Sequence, residues 1–436
     1  MADETLFPVG ESKPKAGDPA LAPRFKHAVR NQVEYLIGDL DSLVALDHEV
    51  RTIWGFVEKA DLSELYAKIR AVEGHVGRSP IDPRILLALW LYATLDGVGS
   101  ARTLDKLCEE SLPYRWMCGG VAVNYHTLAD FRADSGAVLD ELLIDHVSAL
   151  RAAGVVSLNR VSHDGVRVRA SAGSGSFRRK DTLGRFMQEA REQVETLRTE
   201  LEQDPGRSDA RRKAARERAA REREARVAEA LKQYDDVKKK KKHDKDEARV
   251  STTDPDARKM RMADGGTRPA YNVQFSTDTA SQIIVSVEVI NGGSDFDRLL
   301  PAVQRIQKQH GKTPQEMLVD GGYAKREAIE EVAEAPYNCT VYAPLPKPTT
   351  KAQTVERPFK TETPRVTEWR ERMATPEAKV IYKERASTAE CVNAQARNRG
   401  LQQFRVRGRP KVQAVALMFA LVHNIVRTKS LLKKVA

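Results

Sequence analysis

At Val155 the hydrophobic pattern of this chain changes period, and few architectures accommodate such a change. From Phe25 to about Ala153 apolar residues recur with helical spacing. Ser79-Pro80-Ile81-Asp82-Pro83 opens a helix whose run Ile85-Leu-Leu-Ala-Leu-Trp-Leu-Tyr-Ala93 is apolar on every side and so calls for burial all round. Gly97-Val-Gly-Ser100 breaks it, and Ser100 can cap a following helix, Ala101–Cys108. A third helix is expected from His126-Thr127 through Leu128, Phe131 and Leu139. Short helices joined by tight glycine turns suit a helix-turn-helix, and equally any small helical domain.

Beyond this point strand signals dominate. Residues 155–170 have strand composition, with alternation after Gly165. Further strand-like runs are Ala270–Ser276, Gln282–Ile290, Glu316–Asp320 and Cys339–Ala343. Helices are expected up to His310, introduced by Asp295 or Asp297 as a cap, and over 325–334. The order predicts an α/β layer with helices on the sheet faces. The expected organisation is residues 1–24 disordered, 25–153 an all-α domain and 154–436 a mixed-sheet domain.

Two insertions interrupt the second domain. Residues 185–250 carry 20 basic and 16 acidic side chains. Met187, Ala190, Val194, Leu197 and Leu201 fall at a/d spacing, Asp204-Pro-Gly breaks the helix, and a second helix resumes through Arg211–Val237. This reads as a charged helical hairpin, in its simplest form a solvated arm. Residues 344–376 contain six prolines and are expected to be largely irregular.

The charge is unevenly placed. Of 436 residues, 72 are Lys or Arg and 61 Asp or Glu, a formal +11. From Cys391 to Ala436 there are ten basic residues and no acidic one. Such a surface suits a polyanion, nucleic acid being the commonest, or a solubilising tail. The longest apolar stretches, Ile85–Ala93 and Val412–Val426, fall short of the ~20 residues that cross a bilayer, so no membrane partner is expected. No secretory signal is visible, and four scattered cysteines without a C-x-x-C pair suit a reducing cytoplasm.

Candidate chemistry lies in three carboxylates. In-line attack on a phosphodiester is favoured between two metal ions about 3.5–4 Å apart. Two such ions repel by about 16 kcal/mol at an effective dielectric of 20, so several carboxylates must converge on them. Asp164 precedes Gly165 and reads either as a site residue or as an Asp-Gly turn. Asp320 ends a buried strand, where open α/β sheets place ligands. Glu390 closes Ser387-Thr-Ala-Glu390, which alone reads as a capping box. On a helix, Arg397 lies seven positions on, within roughly 20° of Glu390 and about 10 Å along the axis. Arg399, Arg405, Arg407 and Arg409 continue the basic path.

These residues resemble the DDE transposases of bacterial insertion sequences, in the branch with an N-terminal helical domain. The resemblance rests on Pro83–Tyr92, Gly97–Arg102 and Thr127–Arg132 in the helical part. It continues in His163-Asp164-Gly-Val, Ser251–Arg258, Tyr271-Asn-Val-Gln274 and Asp320-Gly-Gly-Tyr323. Tyr382-x-x-Arg385-x4-Glu390-x6-Arg397 is similar to the tyrosine–arginine–glutamate–lysine signature, with arginine where lysine is usual; Phe404–Gly408 and the helix to His423-Asn424 resemble the end of the domain. The resemblance implies a ribonuclease-H-like mixed sheet, with Asp164, Asp320 and Glu390 binding two Mg²⁺ ions, for which Mn²⁺ substitutes. It implies that Tyr382, Arg385 and Arg397 contact DNA.

The expected function is cleavage at element ends and strand transfer of the 3′-hydroxyl into target DNA. The expected partners are double-stranded DNA (terminal inverted repeats and target) and a second copy in a homodimer, acting in the bacterial cytoplasm at the nucleoid. The helical domain is expected to read the repeats, and the hairpin or N-terminus to mediate dimerisation. The alternatives are a catalytically inactive DNA-binding relative and a nuclease of the same fold without strand transfer.

Overall fold

A computed structural model describes residues 38–69, 80–203, 210–240, 247–346 and 362–435. The expected disordered segment 1–24 and the Asp204-Pro-Gly break lie outside them.

The N-terminal region is helical, through Ala152. Helix Pro83–Leu95 starts with Asp82, whose side chain accepts from the Arg84 amide, and with proline in the first turn, where no amide donor is needed. Its residues from Pro83 to Thr94 are buried except Arg84. Ser100 caps Ala101–Glu110 as expected. The helix expected from residue 126 through Leu139 is instead two, Tyr125–Asp134 and Gly136–Ala152. They part at Ser135, whose hydroxyl turns back onto the Phe131 carbonyl. Cys108 and Cys118 sit side by side here, thiol to thiol, both free.

The strands are β1 Arg160–Arg169, β2 Phe177–Arg178, β3 Val250–Ser251, β4 Arg258–Arg261, β5 Thr267–Asp278, β6 Ile284–Ile290, β7 Glu316–Leu318 and β8 Thr340–Tyr342. β5 pairs antiparallel with β1 on one side and with β4 and β6 on the other. β1, β7 and β8 run parallel. The result is a mixed six-stranded sheet, with β2 and β3 forming a separate two-stranded ladder.

Helix Arg409–Val435 packs on β6 and on the N-terminal helices Pro83–Leu95 and Gly136–Ala152, so one hydrophobic core runs through both regions. It extends past the apolar run Val412–Val426 at both ends. Its stretch Arg409–Leu432, with mean hydropathy 1.3, is long and apolar enough to cross a membrane by length and composition. The helix is thus longer than the apolar run read from the sequence, and 56 % of its apolar window is buried within this fold. The polar interruptions explain themselves. Gln413 bonds the Val289 amide and Val287 carbonyl, Asn424 bonds both backbone groups of Ile284, and His423 meets the Gln282 carbonyl. These side chains satisfy backbone groups that the edge strand β6 would otherwise leave open.

The hairpin is present as helices Lys180–Gln203 and Ala210–Lys240, packed on each other and anchored by a small core of Leu183, Ala230, Tyr234, Ala248 and Val250. Of the Pro-rich segment 344–376, residues 347–361 lie outside the described residues; Pro364–Ala374 is a helix, and Pro376 opens the next one, Pro376–Arg385. Each begins with proline at the first turn behind a threonine cap, a position that favours proline rather than excludes it.

Candidate active site

Asp164 sits in the middle of β1, paired opposite Phe275 of β5, so the alternative of an Asp-Gly turn does not hold. Gly165 serves a different need. A Cβ there would stand 2.3 Å from Nε2 of Gln274 and 2.6 Å from Oδ1 of Asn272. The missing side chain makes room for two amides of β5.

Those amides organise a polar layer behind Asp164. Asn272 Nδ2 and Gln274 Nε2 both donate to Oδ1 of Asp295, at 2.7 and 2.9 Å. The Tyr323 hydroxyl donates to Gln274 Oε1, and the Tyr323 ring lies edge-on to His163, 5.2 Å between centroids. His163 is buried, its Nδ1 2.8 Å from the Ser276 hydroxyl, and burial pushes its pKa down to about 4. It is therefore neutral at pH 7. Asp295 is thus a member of this layer and not the helix cap expected from sequence; Arg298 stands at the cap of Leu299–His310, with no side-chain cap bond.

Asp320 follows β7, the parallel neighbour of β1, and that pairing brings it beside Asp164. Its Oδ1 accepts from the Gly322 amide at 2.7 Å. Arg385 Nη2 stands 3.4 Å from Asp164 Oδ1 and 3.9 Å from Asp320 Oδ2. Asn393 Nδ2 donates to the other Asp164 oxygen at 3.1 Å. Burial raises the pKa of Asp164; Arg385 opposes that shift, while the charges of Asp320 and Asp295 add to it. Arg160 fixes the frame by pairing with both Glu316 of β7 and Glu384 of helix Pro376–Arg385.

Glu390 lies in a continuous helical segment: Pro376–Arg385 passes through a π-helical turn, Ala386–Glu390, into helix Cys391–Asn398. The capping-box reading of Ser387 therefore fails, because no helix begins there; the Ser387 hydroxyl bonds the Glu384 carbonyl instead. The π turn packs against β1 and β5. Glu390 itself is exposed, one helical turn before Asn393. Among the described residues, no three His, Cys, Asp or Glu side chains converge to hold a metal ion. The structure brings together two of the three expected carboxylates, on a shared arginine, and leaves the third on the adjoining turn. Hard carboxylate oxygens that already face one positive group fit Mg²⁺, which is often held by one or two carboxylates with water and phosphate completing its shell.

The basic residues divide. Arg397, Arg399 and Arg405 line one cavity. Arg407 donates to the Ser171 carbonyl. Arg409 stands apart near the hairpin base, its amide on Asp256. Tyr382 is half-buried, and burial raises its pKa. Sequence reasoning missed Asp295, Asn393 and the roles of Asn272 and Gln274. Alternation alone could have put the last two on one face of β5.

Two family models match the chain: one described as a transposase domain (DUF772), over residues 38–134, and one described as a transposase DDE domain, over residues 323–428. Together they support a DDE-type transposase. The second begins just past Asp320, so of the three expected carboxylates only Glu390 falls inside it. No curated protein and no solved structure gives a match.

Proposed function

We propose that this chain is a metal-dependent DNA transposase with a ribonuclease-H-like catalytic region, hydrolysing phosphodiesters at element ends and joining the freed 3′-hydroxyl to target DNA. The observation that carries the reading is the meeting of Asp164 and Asp320 from adjacent parallel strands on the single cation of Arg385. Asp164 and Asp320 would hold Mg²⁺ or Mn²⁺, with Glu390 supplied from the neighbouring turn. Bound there, the ions would supply charge neutralisation for the attacking and leaving oxygens.

The chain's own groups do the rest. Asn393 and the Gly322 amide orient the two carboxylates by hydrogen bonds. The Asp295–Asn272–Gln274–Tyr323 layer holds β1 and the loop after β7 in register behind them. Arg385 offsets one of the two carboxylate charges before any ion enters, and would turn to a phosphate afterwards. Double-stranded DNA is the proposed substrate, with a homodimer on paired ends in the nucleoid.

The test is Mg²⁺-dependent nicking of DNA carrying the element ends. Asp320→Asn is expected to abolish nicking while leaving end-binding nearly intact. An Asp320→Asn protein that still nicks would end this assignment. Joined products separate transposition from simple nuclease action.

A further inference from the structure

Between the two regions lies a cavity of about 490 Å³ that the carboxylate site does not use. The turn Gly97–Ser100 and Arg132 form one wall, and residues from Arg397 to Arg405 form the other. Two glycines let these walls meet. Gly400 has φ +91°, and a Cβ on it would stand 3.3 Å from the Gly97 carbonyl oxygen. Five arginines line the space (Arg132, Arg169, Arg397, Arg399 and Arg405), and its lining includes no aspartate or glutamate.

Arg132 is the informative member. It is only 7 % exposed. Its guanidinium lies 4.1 Å over the Trp90 ring, and one Nη donates to the Gly99 carbonyl. Its Nε has no hydrogen-bond partner, and among the described residues no carboxylate pairs with it. Burial lowers its pKa to about 10, which still leaves it cationic at neutral pH. A buried charge without a counter-ion is costly, and an anion entering the cavity would offset it. Of the other four arginines, Arg399 is half-buried and Arg169, Arg397 and Arg405 are exposed. The wall also includes Ser100 and Thr103 at the start of helix Ala101–Glu110, which adds a favourable dipole. Arg397 lies one helical turn beyond Asn393, which holds Asp164, so the cavity adjoins the carboxylate site.

We propose that this cavity grips a backbone phosphate of the DNA strand, with Arg132 of the helical region closing on the same anion as Arg397, Arg399 and Arg405. The assignment rests on the transposase reading for its ligand. It makes the helical region part of the strand-holding machinery, whatever else that region recognises.

The experiment measures binding of a short fluorescein-labelled duplex to the full chain by anisotropy across a salt series. Arg132→Gln is expected to weaken binding about tenfold and to make the log K against log salt slope shallower by about 0.9, one phosphate contact. Arg132→Lys should retain the slope. A purely structural role would lower the folded fraction without moving the slope. Should Arg132→Gln not fold, thermal melts of the wild-type chain in sodium phosphate against sodium chloride at equal ionic strength replace it. A higher Tm in phosphate, lost in Arg399→Gln, is expected. An unchanged slope in folded Arg132→Gln, or no phosphate-dependent gain in the wild type, overturns the proposal. Nicking by the wild type with an unchanged Arg132→Gln slope sinks the cavity alone. A slope loss in Arg132→Gln without any nicking by the wild type supports the cavity and sinks the catalytic reading.

Discussion

Arg385 approaches Asp164 to 3.4 Å, and the same nitrogen stands 3.9 Å from Asp320. One guanidinium thus serves two carboxylates that come from separate strands and would otherwise repel each other. Arg385 and Asp164 are both largely buried, with side chains 14 % and 16 % exposed. The arrangement places one buried positive charge against two carboxylates.

Arg385→Gln should therefore destabilise the chain by about 3 kcal/mol at pH 7, as expected when one partner of a buried pair is removed. Millimolar Mg²⁺ or Mn²⁺ should restore part of the loss, because the ion replaces the missing charge. Thermal melts with and without the metal test this. A variant whose Tm ignores both ions would contradict a shared cation site at Asp164 and Asp320.

Asp164 carries a stability cost. Its pKa is raised above the ordinary 3.8, mainly by burial, so the folded state holds the proton to higher pH than the unfolded one. Stability then falls as pH rises through that window, and at pH 7 the ionised group opposes folding. Unlike Arg385→Gln, Asp164→Asn still leaves Arg385 facing Asp320. It should raise Tm at pH 7 by about 2–4 °C per kcal/mol recovered, and abolish nicking. Below both pKa values the gain should vanish, which a melt series over pH will show.

Gly165→Ala should be among the more damaging small substitutions in the sheet. The added methyl meets Gln274 and Asn272 well inside contact distance, and displacing them breaks their bonds to Asp295. A loss of about 1–3 kcal/mol is expected from overpacking. In the double variant Gly165→Ala/Gln274→Ala part of that loss should return. Additive losses in chemical denaturation would argue against this contact as the cause.

Acid should unfold the chain partly through two buried histidines. Burial lowers His163 and His423 to about 4, so each is neutral in the fold and gains its proton on unfolding. Their contribution is intact above about 6.5 and is lost as pH falls toward 4, at about 1.4 kcal/mol per pH unit for each. His423→Gln can still donate to the Gln282 carbonyl and should flatten the acid limb of the stability curve. An acid limb identical to wild type would count against this account.

The local chemistry was readable without coordinates. Helix Pro83–Leu95 with its Asp82 cap, the Ser100 cap, the helix Lys180–Gln203 and the runs that became β5 and β6 follow from periodicity and capping, which depend on neighbours a few residues apart. Proline count without position hides the helix that ends the Pro-rich segment: Pro364 and Pro376 stand where a helix needs no amide donor.

What periodicity could not supply was which distant groups meet. Asp164 looked like a turn residue because Asp-Gly is locally a turn, yet pairing with β5 carries the strand straight through it. Asp295 looked like a cap because only folding brings Asn272 and Gln274 to its carboxylate. Glu390 and Ser387 looked like a box because the continuous helix and its π turn come from packing against β1 and β5. Sequence alone determined the elements and the kinds of charge the chain carries, since these are set by short-range sterics and composition. The pairing of Asp164 with Asp320 on Arg385, and the cavity that Arg132 and Arg399 both line, were decided by tertiary structure, because burial and the partner across a sheet or an interface exist only once the chain has folded.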